Sequence, residues 1–188
     1  MSDKRVMAMV GKPGSGKSTF CSYLPHDTVG VVSLRYLMKS AVESRGLEWS
    51  DQNAHIVGNE LVGANPYAVG EMILGEVEQI PQRYAVVEGI RGIDEITYLR
   101  MKLGDQFHVV ELQAPSETRL RRILRRAKKE GRAEIKNSED LTLREQREAG
   151  YGMDDVLSAA DYHISTYRMK RNSMPQVFEK LVVELWGD

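Results

Sequence analysis

Short apolar runs alternate along this chain with longer stretches of helical periodicity. Residues 6–10 form a continuous apolar run, which predicts a buried first strand. Four more runs, at 29–34, 84–88, 107–112 and the weaker 162–165, predict further strands. Between them the pattern turns helical, at 17–24, 36–44, 51–62, 66–79, 93–103, 116–129, 141–149, 154–159 and 173–186. Pro66 suits a first helical turn, because its missing N–H would be unpaired there anyway. Ser116 fits a helix N-cap. Residues 131–137 read as polar loop, and Gly150-Tyr151-Gly152 as a turn. Strands that alternate with helices argue for a parallel sheet covered by helices on both faces. Right-handed crossovers then set the strand C-termini along one edge, where ligands bind. No repeat, low-complexity tract or composition shift divides the 188 residues, so a single domain over 1–188 is expected.

Composition adds exclusions. The net charge is −1, so no global field draws the chain to nucleic acid or to a membrane. No stretch has the apolar length needed to cross a bilayer, and the first apolar run is too short for a secretion signal. The single cysteine, Cys21, rules out an internal disulfide and fits packing on the first helix in a reducing, cytoplasmic setting. His26, His55, His108 and His163 are scattered without metal-ligand spacing.

The strongest chemical signal follows the first strand. Gly11-Lys12-Pro13-Gly14-Ser15-Gly16-Lys17-Ser18 matches G-x-x-x-x-G-K-[ST] and lies between a strand and a helix. Glycines there let the backbone wrap with its N–H groups inward, forming an anion nest, and the helix dipole adds to it. Lys17 would reach the β- and γ-phosphates of ATP. The Ser18 hydroxyl would hold Mg2+, and Thr19 would support the α-phosphate.

A second signal ends the third strand. Glu88 sits where such an enzyme places its other metal-side group. It could hold Mg2+ through water or accept a proton from an acceptor hydroxyl. Gly89 leaves room for substrate, and Arg91 could clamp an acceptor phosphate.

Cationic residues crowd the segment from Arg119 to Arg132. Arg119, Arg122 and Arg126 share one helical face. So dense a group repels itself unless an anion relieves it, and phosphoryl transfer needs such a group around the γ-phosphoryl oxygens. Arg144 and Arg147 on the next helix could join from the other side. Residues 116–150 thus read as a helical, arginine-rich lid, and 35–80 as the acceptor-binding region. The segment lacks aromatic residues, so base-stacking readout of nucleic acid is not indicated.

Together GKPGSGKST at residue 11, VVEGIRG at 86, REQREAGYG at 144 and AADYHI at 159 resemble the P-loop nucleotide kinases. Within them they are similar to small archaeal proteins related to adenylate kinase and dephospho-CoA kinase. The resemblance covers most of the chain. It implies a three-layer P-loop NTPase fold with a five-stranded parallel sheet, an acceptor region after strand two and an arginine lid after strand four. It also implies that Arg168, after the last strand, flanks the nucleotide base. The chain departs from that pattern in ending strand three with Glu88-Gly89 rather than Asp-Gly. After strand two it has Ser33-Leu34-Arg35-Tyr36, with Lys39 near the usual arginine. This points to an acceptor other than AMP, met by Arg35, Tyr36 and Lys39. Tyr36 fits either a stacking place on a base or a place in the core.

The expected activity is transfer of a phosphoryl group from Mg-ATP to a small nucleotide-like acceptor by a monomer or homodimer. Lys17, Glu88, Arg91, Arg122 and Arg126 would carry it. A nucleotide-dependent switch and a polynucleotide kinase are the rival readings. No Asn-Lys-x-Asp tetrapeptide supports a GTPase switch.

Overall fold

The computed structural model describes residues 4–130, 135–150 and 152–187. Five strands form one parallel sheet: β1 (Arg5–Val10), β2 (Val29–Ser33), β3 (Tyr84–Glu88), β4 (Phe107–Gln113) and β5 (Tyr162–Ser165). Their spatial order is β2-β3-β1-β4-β5. The first strand is therefore central, with Met9 registered against Glu88 on one side and Val110 on the other. Chain direction reverses its winding at β1, so the C-terminal end of this strand opens a crevice between two outgoing crossovers.

The alternation within β1 explains why the run is apolar throughout. Val6, Ala8 and Val10 face one layer, and Met7 and Met9 face the other. A parallel strand buried on both faces has no polar positions to spare. On the first face lie α4 (Ala68–Gln79), α5 (Ile93–Leu103) and α8 (Met153–Ser158), through Val69, Ile73, Ile96, Leu99 and Val156. On the second lie α1 (Lys17–Ser22) and α9 (Met174–Trp186), through Phe20, Cys21, Phe178 and Leu181. Each such side chain, fully buried, contributes about 1.5–3 kcal/mol.

Two helices, α2 (Leu34–Glu43) and α3 (Asp51–Ala64), extend from the β2 end. Ser50 caps α3 by accepting from the Asn53 N–H at 3.0 Å. Two more, α6 (Ser116–Glu130) and α7 (Ser138–Gly150), follow β4; Ile123 of α6 and Leu141 of α7 form a small apolar cluster with Ile135, which precedes α7. Among the described residues no helix is long and apolar enough to cross a membrane.

Two helix-end expectations are corrected. Ser116 lies inside α6, and the carbonyl of Pro115 accepts its first bond, from the Arg119 N–H at 3.0 Å. Pro66 stands just before α4, whose N-cap is Tyr67; the Asn65 side chain organises this turn by accepting from the Tyr67 N–H at 2.9 Å. In both cases a proline carbonyl or a neighbouring asparagine supplies the turn that a cap residue would. The Tyr151 turn and most of the 131–137 loop lie outside the described residues.

Gly30 on β2 marks a tight packing point, because a side chain there would overlap Ile80 at the end of α4. Gly30→Ala is expected to destabilise the protein by about 1–3 kcal/mol through overpacking. Urea denaturation measures it, and a neutral result would show that Ile80 can turn aside.

Candidate active site

The loop after β1 has the geometry of an anion nest. Gly11, Gly14 and Gly16 have φ of 141°, 77° and 110°, a region L side chains rarely enter. Space forbids a side chain as well: at Gly11 it would overlap the Leu112 carbonyl of β4. Lys17, first residue of α1, folds back over the loop and donates to the carbonyl of Gly11 and, at 3.3 Å, to that of Lys12. Ser18 beside it is exposed, while Ser15 is buried.

Burial lowers the Lys17 ammonium to about 8, against the opposing pull of Glu148 and Glu88 and with a further push from Arg91 and Arg144. The same causes show what surrounds it. Glu88 and Arg91 come from the end of β3, and Arg144 and Glu148 from α7. The sequence-predicted Lys17, Glu88, Arg91 and Arg144 are therefore brought together at one lysine. Cys21 lies behind them; burial, and next the Glu88 charge, push its thiol up to about 12, so it remains a packing thiol.

The rear of the loop is held by α6. Arg119 is buried, donates to the carbonyls of Ala114 (3.1 Å) and Pro13 (3.3 Å), and pairs with Glu145 of α7. Arg122 donates to the carbonyls of Gly14 (3.2 Å), Ser15 (3.0 Å) and Thr166 (2.8 Å). Burial first, then the charge of Arg121, lowers its pKa. Thr166, itself buried, donates its hydroxyl to the Ser15 carbonyl at 2.6 Å. A cleft of about 430 Å3 lies between this wall and the sheet edge, lined by Lys12, Ser15, Glu111, Gln113 and Arg119 among others. Arg126, expected to act with Arg122, stands exposed further along the helix, and Arg147 is exposed on α7.

The loop that carries Glu88 and Arg91 is pinned at both ends. Gly89, with φ of 97°, lies against Leu34 and the start of α2. The Gly92 N–H donates to Glu95 Oε2 at 2.6 Å, the reaching-back half of a capping box on α5. Burial raises the Glu95 carboxyl to about 7, against the lowering effect of that hydrogen bond.

On the acceptor side the guanidinium of Arg35 lies over the Trp49 ring, 5.1 Å from its centroid. Tyr36 is 71% exposed, which excludes the core alternative for it. Lys39 pairs with Glu43 at 3.6 Å. Tyr67 packs on Tyr98 with ring centroids 5.5 Å apart. Beyond β5, Arg168 has φ of 60° and lies over Tyr167 at 5.1 Å. This turn follows directly on Thr166 and so borders the phosphate loop.

Comparison with known proteins agrees with this geometry. The AAA domain family matches residues 8–144. A UPF0200 protein of Methanosarcina barkeri (strain Fusaro / DSM 804) is 31% identical over 183 residues, covering 96% of this chain and 94% of that one. A UPF0200 protein of Methanothrix thermoacetophila is 35% identical over 165 residues, covering 85% and 87%. The chain belongs to the UPF0200 family. Its fold is that of P-loop kinases. Shikimate kinase from Acinetobacter baumannii, solved with shikimate, superposes with a TM-score of 0.59 at 15% identity, covering 98% of this chain and 96% of that one. TT1252 from Thermus thermophilus superposes at 0.64 with 18% identity, over 97% and 98%.

Sequence reasoning left out several residues that build this UPF0200 site. Glu145 and Glu148 look like surface partners of neighbouring arginines, yet they connect α7 to the loop and to Lys17. Arg119 was grouped by helical spacing, which was the usable signal, but its buried position was not visible. Thr166 and Glu95 carried no signal beyond following a strand and standing three residues into a helix.

Two titrations test these environments. A phosphate chain would restore the Lys17 ammonium, so nucleotide binding near pH 8 is expected to take up a fraction of a proton and to weaken as pH rises further. Calorimetry in buffers of different ionisation enthalpy measures the uptake, and Lys17→Ala should abolish it. For Glu95 the folded-state pKa is the higher one. Its contribution is therefore favourable at low pH and is lost as pH rises from the ordinary carboxylate value of 4.5 to about 7. Compared with Glu95→Gln, the natural chain should lose up to about 3 kcal/mol between pH 4 and pH 8 in urea melts. Parallel curves would count against the buried carboxyl.

Proposed function

We propose that this protein is a cytoplasmic, ATP-dependent phosphotransferase that moves the γ-phosphoryl group of Mg-ATP to a small nucleotide-like acceptor. One observation carries the reading: a phosphate-loop lysine feels the charges of Glu88 and Arg91 at the end of β3 and of the Arg144–Glu148 ion pair (3.2 Å) on α7. A module that only binds nucleotide needs the loop alone. A second cation beyond Glu88 is what a phosphorylated acceptor would call for.

The residues divide the work as follows. Lys17 leaves the Gly11 and Lys12 carbonyls for the phosphates, whose negative charge stabilises its ammonium better than two carbonyls do. The Ser18 hydroxyl and the Glu88 carboxylate are hard oxygen donors and would hold Mg2+, which draws charge from the transferring group. Gly14, Ser15 and Gly16 present backbone N–H groups, and Arg122 keeps that backbone in shape from behind. Arg91 holds the acceptor, and Arg144 meets charge that develops on the phosphoryl oxygens. Arg35 on Trp49, with Tyr36 and Lys39, forms the outer wall of the acceptor side. Tyr167 and Arg168 border the base. Arg126 and Arg147 would need a movement of α6 and α7 to take part, as a lid closing over the nucleotide provides. The shikimate kinase likeness supports a small-molecule acceptor.

The test is ATP consumption with Mg2+ against a panel of nucleoside monophosphates, nucleosides and dephospho-CoA, with products identified by mass. A phosphorylated product is expected. Lys17→Ala should reduce its rate by about 100-fold or more. Arg91→Ala should raise the acceptor KM by about 10- to 100-fold while leaving ATP affinity unchanged. Slow hydrolysis that no acceptor alters would overturn the proposal and favour a nucleotide-dependent switch.

A further inference from the structure

Helix α6 carries seven lysines and arginines against two glutamates, in a chain whose net charge is −1. The structure separates these cations into two groups. Arg119 and Arg122 turn inward and spend their donors on the carbonyls of Ala114, Pro13, Gly14, Ser15 and Thr166. Arg121, Arg125, Lys128 and Lys129 are exposed. Among the described residues none of these four has a carboxylate partner or a hydrogen bond. At about 100° per residue, Arg121, Arg125 and Lys128 fall within about 60° of one another, with Lys129 at their border. They form one stripe. It lies opposite the side of α6 on which Leu120 and Ile123 pack against Ile135 and Leu141.

We propose that this outward stripe is a docking surface for the phosphate backbone of a double-stranded nucleic acid. Three features select that partner. Among the described residues the four cations have no carboxylate partner, and the charge of one of them, Arg121, is felt at its neighbour Arg122. The helix has no aromatic residue, Leu120 and Ile123 pack inward, and Leu124, 36% exposed, is too small a patch for the hydrophobic core of a protein interface or for insertion into lipid. Repeated cations one helical turn apart, about 6 Å, suit a regularly charged polymer contacted through its backbone without base readout. The stripe is separate from the phosphate loop, so docking does not require bound nucleotide. It would bring a polyanion alongside the site while leaving the inward arginines in place.

The experiment is fluorescence anisotropy of labelled duplexes of about 20 base pairs, DNA and RNA, with the full chain. Binding is expected at 50 mM salt. Four released counterions predict a weakening on the order of 100-fold between 50 and 200 mM. The charge-reversed variant Arg121→Glu/Arg125→Glu/Lys128→Glu should lose that binding while keeping its thermal melt and ATP affinity. Lys17→Ala should keep duplex binding, so the result stands apart from the phosphotransferase reading. No binding of either duplex at 50 mM salt overturns the proposal. So does equal binding by the charge-reversed variant.

Discussion

The site depends on one constraint: a glycine backbone packed so closely against β4 and α6 that no side chain fits between them. Gly11 lies against the Leu112 carbonyl, and Gly14 against Arg119. This contact fixes the curvature of the loop, and the curvature directs its N–H groups inward. It also leaves the Gly11 and Lys12 carbonyls within reach of Lys17. A buried ammonium bonded to two carbonyls, its burial only partly offset by the charges of Glu148 and Glu88, is held below its ordinary pKa. The loop is thus prepared for an anion before one arrives.

The arginines around the loop illustrate how one residue type can serve different ends. Arg119 and Arg122 are as cationic as Arg126, yet they act as backbone braces: a guanidinium has five donors, enough to reach several loop carbonyls at once. Their burial is tolerable because Glu145 neutralises one and the carbonyls of Gly14, Ser15 and Thr166 surround the other. By bracing the loop they tie α6, and through Glu145 α7, to the phosphate site.

Much of the fold could be read from the chain. The strand at 84–88, the helix at 93–103 and the strand at 162–165 were legible to the residue, since each is bounded by glycine, proline or a sharp change in polarity. Several other helix ends moved by one to three residues, as at the start of α4, where the Asn65 side chain organises the turn. The site was legible in part. Gly11 to Ser18, Glu88 and Arg91 stand beside the strand ends that the alternation had located. Glu145, Glu148, Glu95 and Thr166 were not, because a carboxylate or hydroxyl on a helix or after a strand has the same local pattern whether it faces water or a lysine.

The sequence by itself determined the layer architecture and the phosphate loop. Both rest on local physics: period-2 and period-3.6 burial, and the left-handed backbone that only glycine adopts freely. Only the tertiary structure decided which cations serve the loop and which face solvent. That distinction depends on the angle at which α6 and α7 leave the sheet, and this angle is set by distant contacts such as Ile123 with Leu141 and Arg119 with Pro13. Residues far apart along the chain share no local pattern that announces such a meeting.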